Sequence, residues 1–233
     1  MSPEYNVAFC RPGATFTTKW VRCWTNLAFY CAQNGIGFVD CPATFHNIHM
    51  VRDMCLNVNV ATKDVKPFHG ELDYTHMMWI DSDQVWQNED FQKLLDADED
   101  IVCGGYAMNG TEGRVGICAG WYDPKVLEEK KGMPIMKKSE FVNAVRNEKG
   151  LIDLGAIHPE YEFPFIGMGF MLVKKGVFES IEYPWFFDDN IRVGDIISNS
   201  GDDITFCKKA TRAGYRIYLH PDVQVGHEKL TVF

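Results

Sequence analysis

The stretch Thr75-His-Met-Met-Trp-Ile-Asp-Ser-Asp83 constrains the chain more than any other. Its apolar run, Met77 to Ile80, is too short for a typical helix, follows the polar Gly70-Glu-Leu-Asp73, and stops at two carboxylates one residue apart. Such a run reads as a buried strand that delivers Asp81 and Asp83 to its carboxyl end. In an open α/β sheet, ligands sit in the crevice outside those strand ends, and paired hard oxygens suit Mg²⁺ or Mn²⁺ carrying a phosphate. The alternative is that both aspartates only cap the helix expected over Asn88 to Leu95.

Length and charge narrow the classes. A chain of 233 residues fits one large domain with a sizeable core, so no second independent domain is expected. A hydrophobic share of 46% against 24% charged residues is that of a globular protein. A formal charge of −9 argues against wrapping nucleic acid, which calls for basic stripes. The basic cluster Lys130-Lys131 and Lys137-Lys138 reads as solvated surface. No apolar run reaches membrane-spanning length, and Met1-Ser-Pro-Glu-Tyr5 lacks signal-peptide character, so a soluble cytoplasmic enzyme or binding protein is expected. The eight cysteines are scattered through apolar segments with no C-x-x-C pair, which predicts buried free thiols.

In chain order, Tyr5 to Cys10 predicts a strand broken by Arg11-Pro-Gly13, followed by a helix capped at Thr17 or Thr18. That helix has Trp20, Val21, Trp24, Leu27, Ala28 and Cys31 on one face and ends at Asn34-Gly35. Gly37 to Cys41 predicts a second strand stopped by Pro42, a βαβ opening and hence parallel pairing. A helical pattern covers Asn47 to Val60, with Arg52-Asp53 in its middle. Asp100 to Tyr106 is a further strand whose two glycines permit close approach. Residues Asn109 to Tyr161 lack pattern and read as a substrate loop. Gly167-Met-Gly169 opens an apolar strand over Phe170 to Val173, and Pro184-Trp-Phe-Phe187 is either core or a platform for a flat ring. Ser200-Gly-Asp-Asp203 starts a helix closed by Gly214, a last strand spans Tyr215 to Leu219, and Gly226-His227 follows near the end.

The order of these signals resembles the nucleotide-sugar-dependent GT-A glycosyltransferases, family-2-like enzymes above all. The matching features are the helix with Arg-Asp, the Asp-x-Asp, the Gly-Met-Gly-Phe-Met-Leu-Val run, Gly-Asp-Asp-Ile at a helix start and a late Gly-His. The likeness spans about Tyr5 to Lys229, with Asn109 to Tyr161 unmatched. It implies an α/β fold: one GT-A, Rossmann-like domain over residues 1–233, with a mostly parallel mixed central sheet flanked by helices. Residues 1–108 would form a nucleotide-binding half and 109–233 an acceptor-binding half.

The resemblance also implies roles. Asp83 would bind the divalent ion, Mn²⁺ or Mg²⁺, with Asp81 near the ribose or reaching the ion through water and His227 completing the coordination. Arg52, Arg11, Pro12 and Ser82 would join Asp81 and Asp83 around the nucleoside-diphosphate sugar, although Asp53 stands where the family often has Asn and the Cys10-to-Gly13 exit also reads as an ordinary turn. Asp203 would be the general base of an inverting transfer, supported by Asp202. Acids in a helix's first turn are also favoured by the macrodipole alone. Gly167, Met168, Gly169 and Trp185, with Phe186 and Trp121, would place a glycan or other hydroxyl acceptor, unless the glycines serve only chain geometry. Two rivals stay open: a phosphatase of the haloacid dehalogenase type, with Asp81 as its nucleophile, and a non-catalytic nucleotide-sugar binder.

Overall fold

The computed structural model describes residues 4–58, 65–109, 115–187 and 190–228. The chain opens with β1 (Asn6–Pro12), α1 (Thr18–Gln33), β2 (Gly37–Ala43), α2 (Ile48–Cys55), β3 (His76–Ile80), β4 (Gln84–Val85) and α3 (Asn88–Asp96). It continues through β5 (Ile101–Gly105), β6 (Ala107–Asn109), β7 (Val115–Tyr122), α4 (Pro124–Lys130), β8 (Ile135–Lys137), α5 (Lys138–Asn143), β9 (Ile152–Asp153) and α6 (Leu154–Ile157). The last third holds β10 (Phe163–Ile166), β11 (Phe170–Lys174), α7 (Val177–Ser180), β12 (Asn190–Val193), β13 (Ile196–Asn199), α8 (Asp202–Arg212), β14 (Tyr218–Gln224) and β15 (Gly226–His227).

Among the described residues the main sheet has seven strands in the order β2-β1-β3-β11-β5-β14-β9. β1 is parallel to β2 and β3; β11 runs antiparallel to both β3 and β5; β14 is parallel to β5 and antiparallel to β9. Five strands therefore share one direction, the mixed, largely parallel α/β sheet that the sequence implies. β3, the third of the seven strands, is flanked on both sides and has all five residues buried, as a run apolar on both faces requires.

This polarity decides where a site can form. The exits of β1, β3, β5 and β14 and the entrance of the reversed β11 all open on one edge. Arg11–Gly13, Asp81–Asp83, Tyr106, Gly226–His227 and Gly167–Gly169 are thereby gathered from distant parts of the chain.

Local signals hold with some corrections. Thr17 caps α1 by accepting the Trp20 N–H at 3.1 Å, and Asn34 ends it. Trp20, Leu27 and Cys31 are buried, but Val21 faces out at 49% exposure. Pro42 does not stop β2, because β2 is an edge strand and a proline can sit there without breaking a ladder; Pro12 likewise continues β1 where only β2 pairs with it. The last strand starts and ends later than Tyr215–Leu219, running through Pro221 with a register shift after His220.

The segment Asn109–Tyr161 is not one loop. Its described part contains the eight-residue β7, which pairs with β10, β6 and β8 in a second, antiparallel sheet. Gly116 and Gly120 disguise this strand in the sequence. A Cβ on Gly120 would overlap the Pro134 carbonyl, so the glycine is what lets β8 close against β7. The β12–β13 hairpin around Gly194-Asp195 was also missed by pattern reading. The helix expected over Asn47–Val60 is shorter: α2 ends at Cys55, and residues 59–60 lie outside the described residues. The cysteines are all free thiols, six of the eight buried.

Candidate active site

The site grows from the turn after β3. The Asp81 N–H donates to the Gly169 carbonyl at 3.0 Å, the Trp20 indole N–H donates to the Asp81 carbonyl at 2.9 Å, and the Gln84 N–H closes back on that carbonyl at 3.2 Å. The motif is thus clamped by α1 and β11. Gly13 presses on it from the β1 exit: a Cβ there would lie 2.7 Å from Ser82 Cβ, and its φ of +150° disfavours any side chain. Ser82 and the β1 exit are therefore neighbours.

β15 pairs with β4, with His227 opposite Gln84, and the Glu228 N–H donates to the Asp83 carbonyl at 2.7 Å. That short ladder sets His227 Nε2 3.0 Å from Asp83 Oδ2. Its Nδ1 is 3.0 Å from the Ala107 carbonyl, which can only accept, so Nδ1 carries the proton. Nε2 then turns a lone pair toward a carboxylate oxygen, an arrangement that is stable only with a proton or a cation between the two. A carbonyl that fixes the imidazole tautomer in this way is the usual support of a metal-ligating histidine. A carboxylate plus an imidazole suits Mn²⁺ somewhat better than Mg²⁺, with phosphate oxygens or water filling the other positions. Gln84, buried at 1% exposure, reaches Asp83 Oδ1 from its Nε2 at 3.4 Å.

Asp81 does not join that pair. It faces Arg52, whose Nη2 lies 3.2 Å from Asp81 Oδ1 and 3.4 Å from Oδ2. Arg52, 4% exposed, also donates from Nε to Asp202 Oδ2 in a close ion pair. A buried guanidinium demands anionic partners, and Asp81 is held as one. Of the three residues expected at a metal, the structure brings Asp83 and His227 together and leaves Asp81 with Arg52. Among the described residues, no group of three His, Cys, Asp or Glu side chains is arranged to hold an ion. Burial works to lower the Arg52 pKa, but Asp81 and Asp202 overcome it and hold the charge firmly. Burial raises the pKa of Asp81, against the pull of Arg52.

Asp202 and Asp203 open α8, which packs on β10 with Cys207 Sγ donating to the Ile166 carbonyl at 3.7 Å. Asp203 Oδ1 accepts the Ile204 N–H at 2.8 Å, and the carboxyl lies beside Gly167. Burial, then Asp202, pushes Asp203 up to about 6, against the pull of Arg52.

Tyr106, which the sequence marks only as the end of a strand, joins the two ends of the site. Its ring centroid is 5.0 Å from that of His227, and its hydroxyl accepts the Gly169 N–H at 3.3 Å. A Cβ on Gly167 would overlap its Oη, and one on Gly169 would come within 3.0 Å of its ring. The glycine pair thus seats this ring, while Gly167, Tyr106 and Asp203 together line a cavity of about 640 Å³. The signal that could have found it is a tyrosine directly after a strand-ending Gly104-Gly105.

Other expected contributors lie elsewhere. Arg11 is clamped by Asp40 at 2.6 and 2.7 Å and stands over the Phe16 and Trp24 rings, while Pro12 is buried; both shape the β1 exit. Asp53 points away from Arg52's partners and accepts the Tyr183 hydroxyl at 2.9 Å. Trp185, Phe186, Trp121 and Met168 cannot be acceptor platforms: all are at most 1% exposed. Trp185 donates to the Ile181 carbonyl at 3.3 Å and Trp121 to the Leu154 carbonyl at 2.8 Å, so each indole is satisfied inside the core.

No helix among the described residues is long and apolar enough to cross a membrane. No family model matches the chain, and no curated protein matches it. Among solved structures, the crystal structure of A197 from STIV is similar over 98% of this chain and 96% of that one, at 17% identity and a TM-score of 0.49.

Proposed function

We propose that the chain is a metal-dependent glycosyltransferase, moving a sugar from a nucleoside-diphosphate sugar to a hydroxyl acceptor with inversion. One observation carries the reading: Asp83 meets a tautomer-locked His227 at 3.0 Å, at the same sheet edge as a carboxyl whose pKa burial raises to about 6. Asp83 and His227 would hold Mn²⁺ or Mg²⁺ with the diphosphate. When bound, the ion offsets the charge that develops on the leaving diphosphate.

The remaining chemistry belongs to the chain. The β1 and β3 exits, where Ser82 packs against Gly13, would receive the nucleoside. Asp203 takes the proton of the acceptor hydroxyl as that oxygen bonds the anomeric carbon, and the bond from this carbon to the diphosphate breaks, its electron pair leaving with the nucleotide. A base of this kind contributes roughly 10² to 10⁴-fold, most effectively when its pKa lies near working pH. Arg52 acts as a positioning residue, tying Asp202 and the Asp81 backbone turn to one buried charge. A phosphatase with Asp81 as nucleophile fits less well, because Arg52 already holds that carboxylate.

Calorimetry with UDP, GDP and TDP, with and without Mn²⁺, tests the reading. One nucleotide should bind with Mn²⁺ dependence, and Asp83→Ala should weaken that binding on the order of 100-fold or more, since even outer-shell partners of a metal cost 10 to 100-fold. Metal-independent binding, or binding without any later transfer or donor hydrolysis, speaks for a non-catalytic binder. A product of retained configuration removes the base role of Asp203.

A further inference from the structure

The cavity at Asp203 has a lining unlike that expected for a polyol. From the second sheet it receives Ile117, Ile135 and Met136, with Met108, Met133 and Phe165 completing the wall. Among the described residues that line it, Asp203 is the only acid and Lys137 the only lysine or arginine. A sugar acceptor filling this space would leave several hydroxyls without partners, a cost that apolar walls cannot offset. An occupant with one hydroxyl at Asp203 and an apolar body along the wall meets the lining instead.

Two surface features point to what carries that body. Met108 and Ile135 are large apolar side chains left 43% and 45% exposed. Lys137 lines the cavity, and Lys130, Lys131 and Lys138 are exposed close to it in sequence, four lysines against Glu128, Glu129 and Glu140 over residues 128–140 of a chain whose net charge is −9. Exposed apolar side chains with lysines beside them suit a bilayer bearing anionic headgroups.

We propose that the acceptor is a lipid, its headgroup hydroxyl presented to Asp203 and its apolar portion seated against Met108, Ile117, Ile135 and Phe165. This rests on the transferase reading for the role of Asp203, but the groove can be tested without turnover. The probes are octyl β-glucoside, below its micellar concentration, against methyl β-glucoside, and vesicles of phosphatidylcholine with and without phosphatidylglycerol. Octyl glucoside should bind at least tenfold more tightly than methyl glucoside, and the chain should float with phosphatidylglycerol vesicles. Both effects should vanish in Met108→Glu with Ile135→Glu, two exposed positions where the thermal midpoint and Mn²⁺-dependent nucleotide binding should stay unchanged. Equal affinity for the two glucosides, or a preference that survives the double substitution, overturns the proposal. Octyl preference without vesicle flotation overturns the lipid source in favour of a soluble glycoside with an apolar aglycone. Octyl preference in a chain that binds no nucleotide overturns the transferase reading and the acceptor role together.

Discussion

At the scale of single residues, the account turns on Asp203. Its carboxyl must be ionised to take a proton, and burial, reinforced by Asp202, raises its pKa from 3.8 to about 6. Transfer should therefore fall as pH drops below about 6 and level off above it, and a flat profile between pH 5 and 8 would exclude this base. Asp203→Asn should keep nucleotide binding and lose transfer by roughly 10² to 10⁴-fold. The same shift has the opposite sense for stability. The folded chain holds that proton more tightly than the unfolded chain, so stability declines as pH rises from about 4 to 6. Asp203→Asn should flatten that part of the unfolding-against-pH curve. Asp81, Asp83 and Asp203 could be nominated because carboxylates at a strand exit or helix start are visible as a pattern, whereas His227 is pointed to by the resemblance alone. Tyr106 offers only its place after Gly104-Gly105, which does not say that a distant glycine turn receives its ring, and nothing in its spacing marks Gln84.

At the scale of elements, α2, β3 and α8 are joined by one buried cation. Arg52→Met keeps volume but leaves Asp81 and Asp202 facing each other without compensation, and removing one member of a buried charge cluster costs about 3 to 5 kcal/mol. Denaturant unfolding should show that loss, and adding Asp202→Asn should recover part of it; full stability in Arg52→Met alone would show the cluster to be dispensable. The entrance to β11 makes a second test. Gly167→Ala puts a methyl where Tyr106 Oη lies, with an expected cost of about 1 to 3 kcal/mol, and Tyr106→Phe in the same chain should restore much of it by removing the clashing atom. The clear βαβ periodicity and cap residues made most main-sheet elements readable. β7 escaped because its glycines, needed for strand approach, erase the alternation that marks a strand. Trp185 misled for a related reason: an aromatic run looks the same whether it faces a ligand or, as here, the core.

At the scale of the whole molecule, function depends on sheet polarity. Five strands exit and the reversed β11 enters on the same edge, so residues from position 13 to position 227 are gathered along one side of the sheet. The expected division at residue 108 does not describe this arrangement, because β11 and β14 from the second half complete the main sheet while His227 returns to the motif turn. The central claim is that Asp83 and His227 hold one divalent ion together with the donor. Pulsed electron paramagnetic resonance of Mn²⁺ in the protein, with whichever of UDP, GDP or TDP it binds, tests this directly. The account predicts coupling to one imidazole nitrogen and to diphosphate phosphorus on the same ion, with the nitrogen signal absent in His227→Ala. Phosphorus coupling with no nitrogen coupling, or a nitrogen signal that persists in His227→Ala, would contradict it.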